Sequence, residues 1–463
     1  MGLDGGTTRP TRRQWSASQA SSGYSAVSSG FITLLRDRAS RYTRPTSRNA
    51  HHTATYNAGR RSEVTPHAVV VGAGPVGALS ALLLGRRGVA VTLVEQGPGL
   101  ITQSHASTFH PSTLDLLSGI GIDLGADPGA VRVTAVQWRD SAGQVLAEVD
   151  YRMIDSLTAH PFRIHLDQQA LLDRCGALLA AEPLVGVRTG ATLVDLDLDP
   201  GRPRVTVSAA GGVRRDIAAD VVIGCDGAHS AVRRLSGIGF PTAEYPTGAI
   251  RAFTTTDLTS RLRAADPATA LSGLCYFRGG HDGVSVLQMR SHTRLIVRTT
   301  NELDDAERFR EALGNATPLR PEDLAIDRID SYRLRRGVAA GYLCEAGPVL
   351  ILGDAAHVTS TAGGLNMNAG IHDAFAMMPV VAEWLHGRVE QQSVAQMADV
   401  RRRHLLEEVV PRSERRVRGL QGSGSVASHL ADIAGLAADP AAARRFLIEA
   451  SLLDAPLTAA GSR

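Results

Sequence analysis

Between an almost uninterrupted apolar run at 67–71 and a helical pattern at 76–87, the chain reads Gly72-Ala73-Gly74-Pro75-Val76-Gly77. No other stretch restricts the fold as tightly. A continuous apolar run suits a strand buried on both faces, as parallel strands are. A second such run at 89–94 ends on Glu95, so strand, helix and strand make one βαβ unit. The first glycine permits the tight turn, the second lets backbone approach a diphosphate, and the third lets helix and strand pack closely. The diphosphate would sit on free N–H groups at the positive end of the helix. Glu95, followed by Gln96, stands where an adenosine ribose would bind, and an acid there disfavours a 2′-phosphate. The unit therefore suits FAD or NAD better than NADP.

The remaining chain divides by composition. Residues 1–66 hold 19 Ser or Thr and no helical or strand period, so they are expected to be disordered or a misassigned N-terminal extension. They carry ten Arg against Asp4, Asp37 and Glu63, a balance of +7 that leaves the remainder at −4 although the whole chain is +3. The basic character belongs to this segment, and nothing on the folded part suggests a nucleic-acid surface. An Arg- and Ser-rich transit peptide has a similar composition. The folded part is expected to be α/β: a Rossmann-like nucleotide domain over 67–245, an inserted antiparallel-sheet substrate domain over 246–340, the first domain resumed over 341–395, and C-terminal helices over 396–463. Helices are predicted at 111–119 and 167–181, strands at 192–198, 204–208, 221–224, 284–288, 295–298 and 349–352, and helix from 369 almost to the end.

Composition excludes several chemistries. All 49 basic residues are arginine. Without lysine there can be no lysine Schiff base, Walker lysine or lysine general base. Cys175, Cys225, Cys275 and Cys344 form no CxxC, which argues against zinc or a dithiol pair and fits reduced thiols in the cytoplasm. No apolar run approaches the roughly 18 residues of a membrane span.

Two further motifs choose between the dinucleotides. Val222-Ile223-Gly224-Cys225-Asp226-Gly227 and Val349-Leu350-Ile351-Leu352-Gly353-Asp354 each end a buried strand on an acidic turn. An aspartate at a strand's carboxyl end lies where ligands bind in such sheets. Asp354 could accept from a ribityl hydroxyl, which NAD lacks. Each aspartate could equally cap a following helix.

With the glycine fingerprint, these two motifs resemble those of the FAD-dependent aromatic monooxygenases, the family of para-hydroxybenzoate and phenol hydroxylases. The likeness covers about 67–455 and is most similar to bacterial members resembling 3-(3-hydroxyphenyl)propionate hydroxylase. It implies FAD as the cofactor, NADH or NADPH as a transient reductant, O₂, and a small phenolic substrate hydroxylated through a flavin C4a-hydroperoxide. It implies flavin contacts from Gln168 in Phe162-Arg163-Ile164-His165-Leu166-Asp167-Gln168, and from Gly364, Leu365, Asn366 and Met367 in the loop after Gly363. Backbone N–H groups of that loop would stabilise negative charge on reduced flavin.

Substrate contacts are expected from the second domain, with Arg251, Tyr276 and Gln288 as candidates beside Arg278 and Tyr332; each can equally be structural. His281 reads as a solvated hairpin turn, and no residue is singled out as a catalytic base. Three positions depart from the family's pattern. His105 stands where an arginine usually approaches the pyrophosphate, Thr361 replaces a proline, and Asn366 replaces a glycine. They leave open a catalytically impaired FAD-binding homologue that binds a ligand or partner. A flavin reductase of an isoprenoid is a further alternative, whereas a flavin halogenase would need a lysine. The closing helices could pack on the nucleotide domain or form a homodimer surface.

Overall fold

The computed structural model describes residues 65–100, 106–209, 211–263, 270–279, 282–299, 305–418 and 432–459. Apart from Thr65 and Pro66, the expected extension lies outside the described residues, as do His105 and His281.

Five parallel strands form the nucleotide sheet, in the order Val349–Ile351, Val221–Gly224, His67–Val71, Ala90–Val94, Val185–Arg188. Val69 pairs with Val222 on one side and Thr92 on the other. Helices on its faces leave Val69, Val70, Val222, Ile223, Leu350 and Ile351 without exposure. Each such side chain stabilises the fold by roughly 1.5–3 kcal/mol, which is why these strands read as unbroken apolar runs. The helix Pro75–Gly85 packs against Gln168–Ala180 and Leu365–Leu385. A three-stranded antiparallel sheet, Ala191–Asp197, Arg204–Ala209 and Arg214–Ala218, hangs from this domain.

The second sheet is larger than the sequence suggests. Its eight strands run in the order His357–Val358, Ile326–Val338, Thr242–Thr254, Thr293–Thr299, Asp282–Gln288, Leu274–Gly279, Ala135–Asp140, Val145–Asp150. The last two come from the region assigned to the nucleotide domain, and Ala135–Asp140 pairs with Leu274–Gly279 in parallel, so the sheet is antiparallel except at that seam. Ala135–Asp140 is buried over its middle four residues and shows no alternation. The turn residues Ser141-Ala142-Gly143 were the available signal.

Alternation governs the rest of this sheet. Phe277, Val284, Val286, Leu295 and Val297 point to one face, where the helix Asp305–Ala316 supplies Phe309 and Leu313 to close a core. Their neighbours Tyr276, Ser285, Leu287, Ile296 and Arg298 point to the opposite face and line a cavity. The closing helix Pro440–Ala450 lies across that cavity, its Phe446 ring edge-on to Trp138 at 5.4 Å. The helical stretch foreseen from 369 begins earlier, at Leu365. No helix of the described residues is long and apolar enough to cross a membrane.

Candidate active site

The glycine fingerprint, the two acidic turns and the 363–367 loop come together at the carboxyl ends of the parallel strands. Gly72 has φ of +96°, and a Cβ there would fall 2.5 Å from the Cys225 carbonyl oxygen. Only glycine tolerates both the left-handed backbone and that approach. A Cβ on Gly77 would collide with the Gly72 carbonyl, so helix and turn meet backbone to backbone. Val76 fits a niche between Gly353 and Gly370, where added Cβ atoms would lie 2.8 Å and 2.9 Å from its Cγ2. The fingerprint and the Gly353-Asp354 turn thus interlock through one valine.

Glu95 is buried, and its two carboxylate oxygens accept from Ala73 N and Gly97 N at 2.8 Å each. It orders the fingerprint turn and keeps lone pairs for a further donor. Gln96 beside it is exposed. Gln168 is buried at the start of its helix. Asp226 turns inward: its carboxylate accepts from Ser230 Oγ at 2.5 Å, Ala231 N at 2.7 Å and Val232 N at 3.0 Å. Those bonds cap the short helix Ala231–Leu235, the second of the two roles open to it.

Two helices start on glycine with no side-chain cap, Pro75–Gly85 on Gly74 and Leu365–Leu385 on Gly364. Each presents first-turn N–H groups and the positive end of its dipole, a fit for an anion. Gly364 has φ of +67°, and the turn before it is fixed from below. His110 Nε2 meets the Gly363 and Gly364 carbonyls at 3.0 and 3.2 Å, and Asn368 Nδ2 donates to Gly364 O at 2.7 Å and Thr108 O at 2.9 Å. Asn366 lies in the first turn of the helix, with no positive φ, so it does not strain the position where the family has glycine.

Asn366 instead joins a polar chain that sequence reasoning missed. Its Nδ2 donates to Asp354 Oδ1 at 2.8 Å, and its Oδ1 accepts from His357 Nδ1 and Thr359 N at 3.1 Å each. His357 Nε2 donates to Asp373 Oδ2 at 2.8 Å, and Arg401 Nε donates to Asp373 Oδ1 at 2.8 Å. His357, Asp373 and Arg401 are all essentially unexposed. Burial opposes charge on His357, but the hydrogen bond and charge of Asp373, with Asp354 beyond, outweigh it and raise its pKa. Burial would likewise raise Asp373, yet the Arg401 guanidinium and His357 hold it below the usual carboxylate value. The only sequence signal was polar residues spaced along an otherwise apolar helix.

The cavity measures about 990 Å³ and runs from the 363–367 loop and Ala106–Thr108 region to the eight-stranded sheet. Arg251, Tyr276, Arg278 and Tyr332 line it, with Arg251 ion-paired to Asp330 at 3.1 Å. Gln288 does not. Strand alternation that sends Ser285 and Leu287 into the cavity turns Gln288 the other way, where it is exposed. Tyr332 Oη lies 3.3 Å from Thr361 Oγ1, joining the sheet to the loop. No cluster of metal-ligating side chains occurs among the described residues.

Known proteins resemble this chain in sequence and in fold. The chain is 29% identical over 321 residues to the para-nitrophenol 4-monooxygenase of Pseudomonas sp. (strain WBC-3), covering 66% of this chain and 75% of that one. It is 28% identical to a 3-(3-hydroxy-phenyl)propionate/3-hydroxycinnamic acid hydroxylase of Burkholderia cenocepacia (strain HI2424), over 69% of this chain and 58% of the relative. The crystal structure of p-nitrophenol 4-monooxygenase from Pseudomonas putida DLL-E4 superposes with a TM-score of 0.75 at 23% identity, covering 84% of this chain and 98% of that chain. The profile of the FAD binding domain matches residues 65–413, most of the chain; the protein belongs to that FAD-binding family, among relatives that are aromatic monooxygenases.

Proposed function

We propose that this protein is an FAD-dependent monooxygenase that hydroxylates a small phenolic compound, using NADH or NADPH and O₂. The observation that carries this reading is the position of the cavity, which shares the 363–367 loop with the FAD end and is otherwise walled by the second sheet. The phenolic substrates named for the relatives support the substrate class. Bound FAD would accept reducing equivalents from the nicotinamide and pass one oxygen atom of O₂ to the ring.

The chain's own groups have the supporting tasks. Gly72, Gly74, Pro75, Val76 and Gly77 would hold the pyrophosphate, Glu95 and Gln96 the adenosine ribose, and Gly353 and Asp354 the ribityl chain. Gln168 and the backbone of Gly364, Leu365, Asn366 and Met367 would meet the ring, where the uncapped helix stabilises negative charge. Asp226 would shape the pyrophosphate site by ordering its turn. The closing helix Pro440–Ala450 would form one wall of the substrate cavity. In this reading 67–245 and 341–395 serve the cofactor and 246–340 the substrate, joined by 135–150. Four cysteines free of disulfides fit a cytoplasmic setting.

The test is direct. Protein reconstituted with FAD should be yellow, and a panel of phenols should stimulate NAD(P)H oxidation while ¹⁸O₂ labels the hydroxylated product. Colourless protein after FAD addition, or no aromatic stimulation across the panel, overturns the reading.

A further inference from the structure

Seven arginines and four carboxylates line the cavity. Most of these arginines are paired. Arg251 faces Asp330, Arg294 faces Asp167, Arg412 faces Glu408 and Asp454, and Arg415 faces Glu449. Arg163 donates to Tyr151 Oη at 2.5 Å. Arg278 and Arg298 differ. Among the described residues neither has a carboxylate within ion-pair distance; Arg278 Nη1 donates only to the Phe277 carbonyl at 2.8 Å, and Arg278 Nε and Arg298 Nη1 are buried without a hydrogen-bond partner.

Their placement follows from strand register. Arg278 pairs with Gly283, and one step beyond the Val284–Val297 pair Gly283 also falls beside Arg298. The two arginines therefore flank a glycine in one row, on the cavity face, with no side chain between them. Two strand spacings separate their Cα atoms by about 10 Å, within the combined reach of two arginine side chains. Ala249 continues the row, pairing with Arg298 on one side and Tyr332 on the other. Tyr332 then reaches Thr361 of the loop. The Arg278 guanidinium lies 5.4 Å from the Tyr276 ring, an aromatic wall beside the charge. Burial lowers both guanidinium pKa values, Arg278 to about 10, which still leaves it charged at neutral pH. Two cations without a carboxylate partner, held together in a cavity wall, are stabilised by an anion between them.

We propose that Arg278 and Arg298 form an anion subsite for the carboxylate of an aromatic acid, so that the substrate is a hydroxyaryl carboxylic acid rather than a neutral phenol. This rests on the function proposed above and narrows it. Arg298 and Tyr332 lie two strand spacings apart, about 10 Å. That distance accommodates one aromatic ring between the carboxylate and Tyr332, which reaches Thr361.

The test uses the FAD-loaded full chain, titrated with para-hydroxybenzoate against para-hydroxybenzamide and with hydroxyphenylpropionate against its amide, read by perturbation of the flavin absorbance. Carboxylates should bind about ten- to hundredfold tighter than amides. Arg298→Gln and Arg278→Gln should remove most of that preference while leaving amide binding and the KM for NADH and NADPH unchanged. Arg298→Lys, which keeps the charge, should retain part of it and guards against a loss through misfolding. Carboxylates that bind no better than amides, or not at all, overturn the subsite. So does a rise in KM confined to NADPH, which would make the pair a phosphate site for the reductant. Neutral phenols that still stimulate NAD(P)H oxidation then leave the monooxygenase reading intact; a panel without any stimulation is what overturns that one.

Discussion

The five-stranded and eight-stranded sheets solve opposite problems. In the first, backbone must come close to backbone: Gly72 against Cys225, Gly77 against Gly72, Gly353 and Gly370 around Val76. Its buried polar groups include one mutually satisfied chain, His357–Asp373–Arg401. In the second, one face is an ordinary core and the other carries arginines, with Arg278 and Arg298 among those that have no carboxylate partner. Binding in the first sheet is built from positions that admit no other residue. In the second it is built from long side chains on a scaffold that would fold with many others. Substitutions should therefore cost fold and cofactor together in the first region, and ligand preference alone in the second.

Asp373→Asn should have the largest effect on stability. It leaves Arg401 and the His357 imidazolium buried without their shared counter-charge, at a cost of about 3–5 kcal/mol. A urea titration reads this as a lower midpoint with an unchanged slope. A loss below about 1 kcal/mol would break the comparison, because the chain would not need its charges balanced.

Gly77→Ala comes next. The new methyl meets backbone that cannot rotate away, so the helix must shift, costing about 3 kcal/mol and releasing FAD. The flavin-to-protein ratio after gel filtration and the melting temperature check it. A variant that keeps both would show that the turn has slack.

Acid should act through the buried histidines. Burial drives His165 and His372 down to about 3 and His404 to about 4, so all three stay neutral in the folded protein while the unfolded chain protonates near 6.5. Stability is then lost as pH falls from about 6.5 towards those folded values, by roughly 1.4 kcal/mol per pH unit for each histidine. His357 acts in the reverse sense. Its raised pKa adds stability that is present below about 6.5 and lost as pH rises through the folded value. Asp373 adds stability lost only as pH falls below about 3.8. Stability should therefore peak near pH 6.5, and His372→Gln should flatten its acid limb. An acid limb unchanged by that substitution would remove His372 from the account.

How much of this was legible in the sequence follows the same division. The strand runs, the fingerprint and Glu95 were readable because close approach and double-sided burial leave residue types no freedom. The strands 135–140 and 145–150 were not: they pair with each other, but the sheet they join lies more than a hundred residues away and the first shows no alternation. Gln288 was taken for a cavity residue because composition does not say which face of a strand is which; the register does. Asp226 could be read as a ligand residue or as a cap, and its carboxylate bonds to the helix that follows it. Arg298 drew no attention among 49 arginines until Gly283 placed it beside Arg278.

The smallest effect tests the tolerant region by improving it. Gly314 lies inside the helix Asp305–Ala316, and a Cβ there would meet nothing within 4 Å. Glycine in a helix interior gives up more backbone freedom on folding than alanine does, so Gly314→Ala should stabilise by about 0.5–1 kcal/mol. The same chemical change therefore has opposite signs at Gly77 and Gly314, because one faces backbone and the other open space. If the outer helix belongs to the same cooperative unit as the cofactor site, the gain appears in the single melting transition and FAD is retained unchanged. A gain confined to an early, separate transition would show that the second sheet unfolds on its own, and that the two regions differ in cooperativity as well as in chemistry.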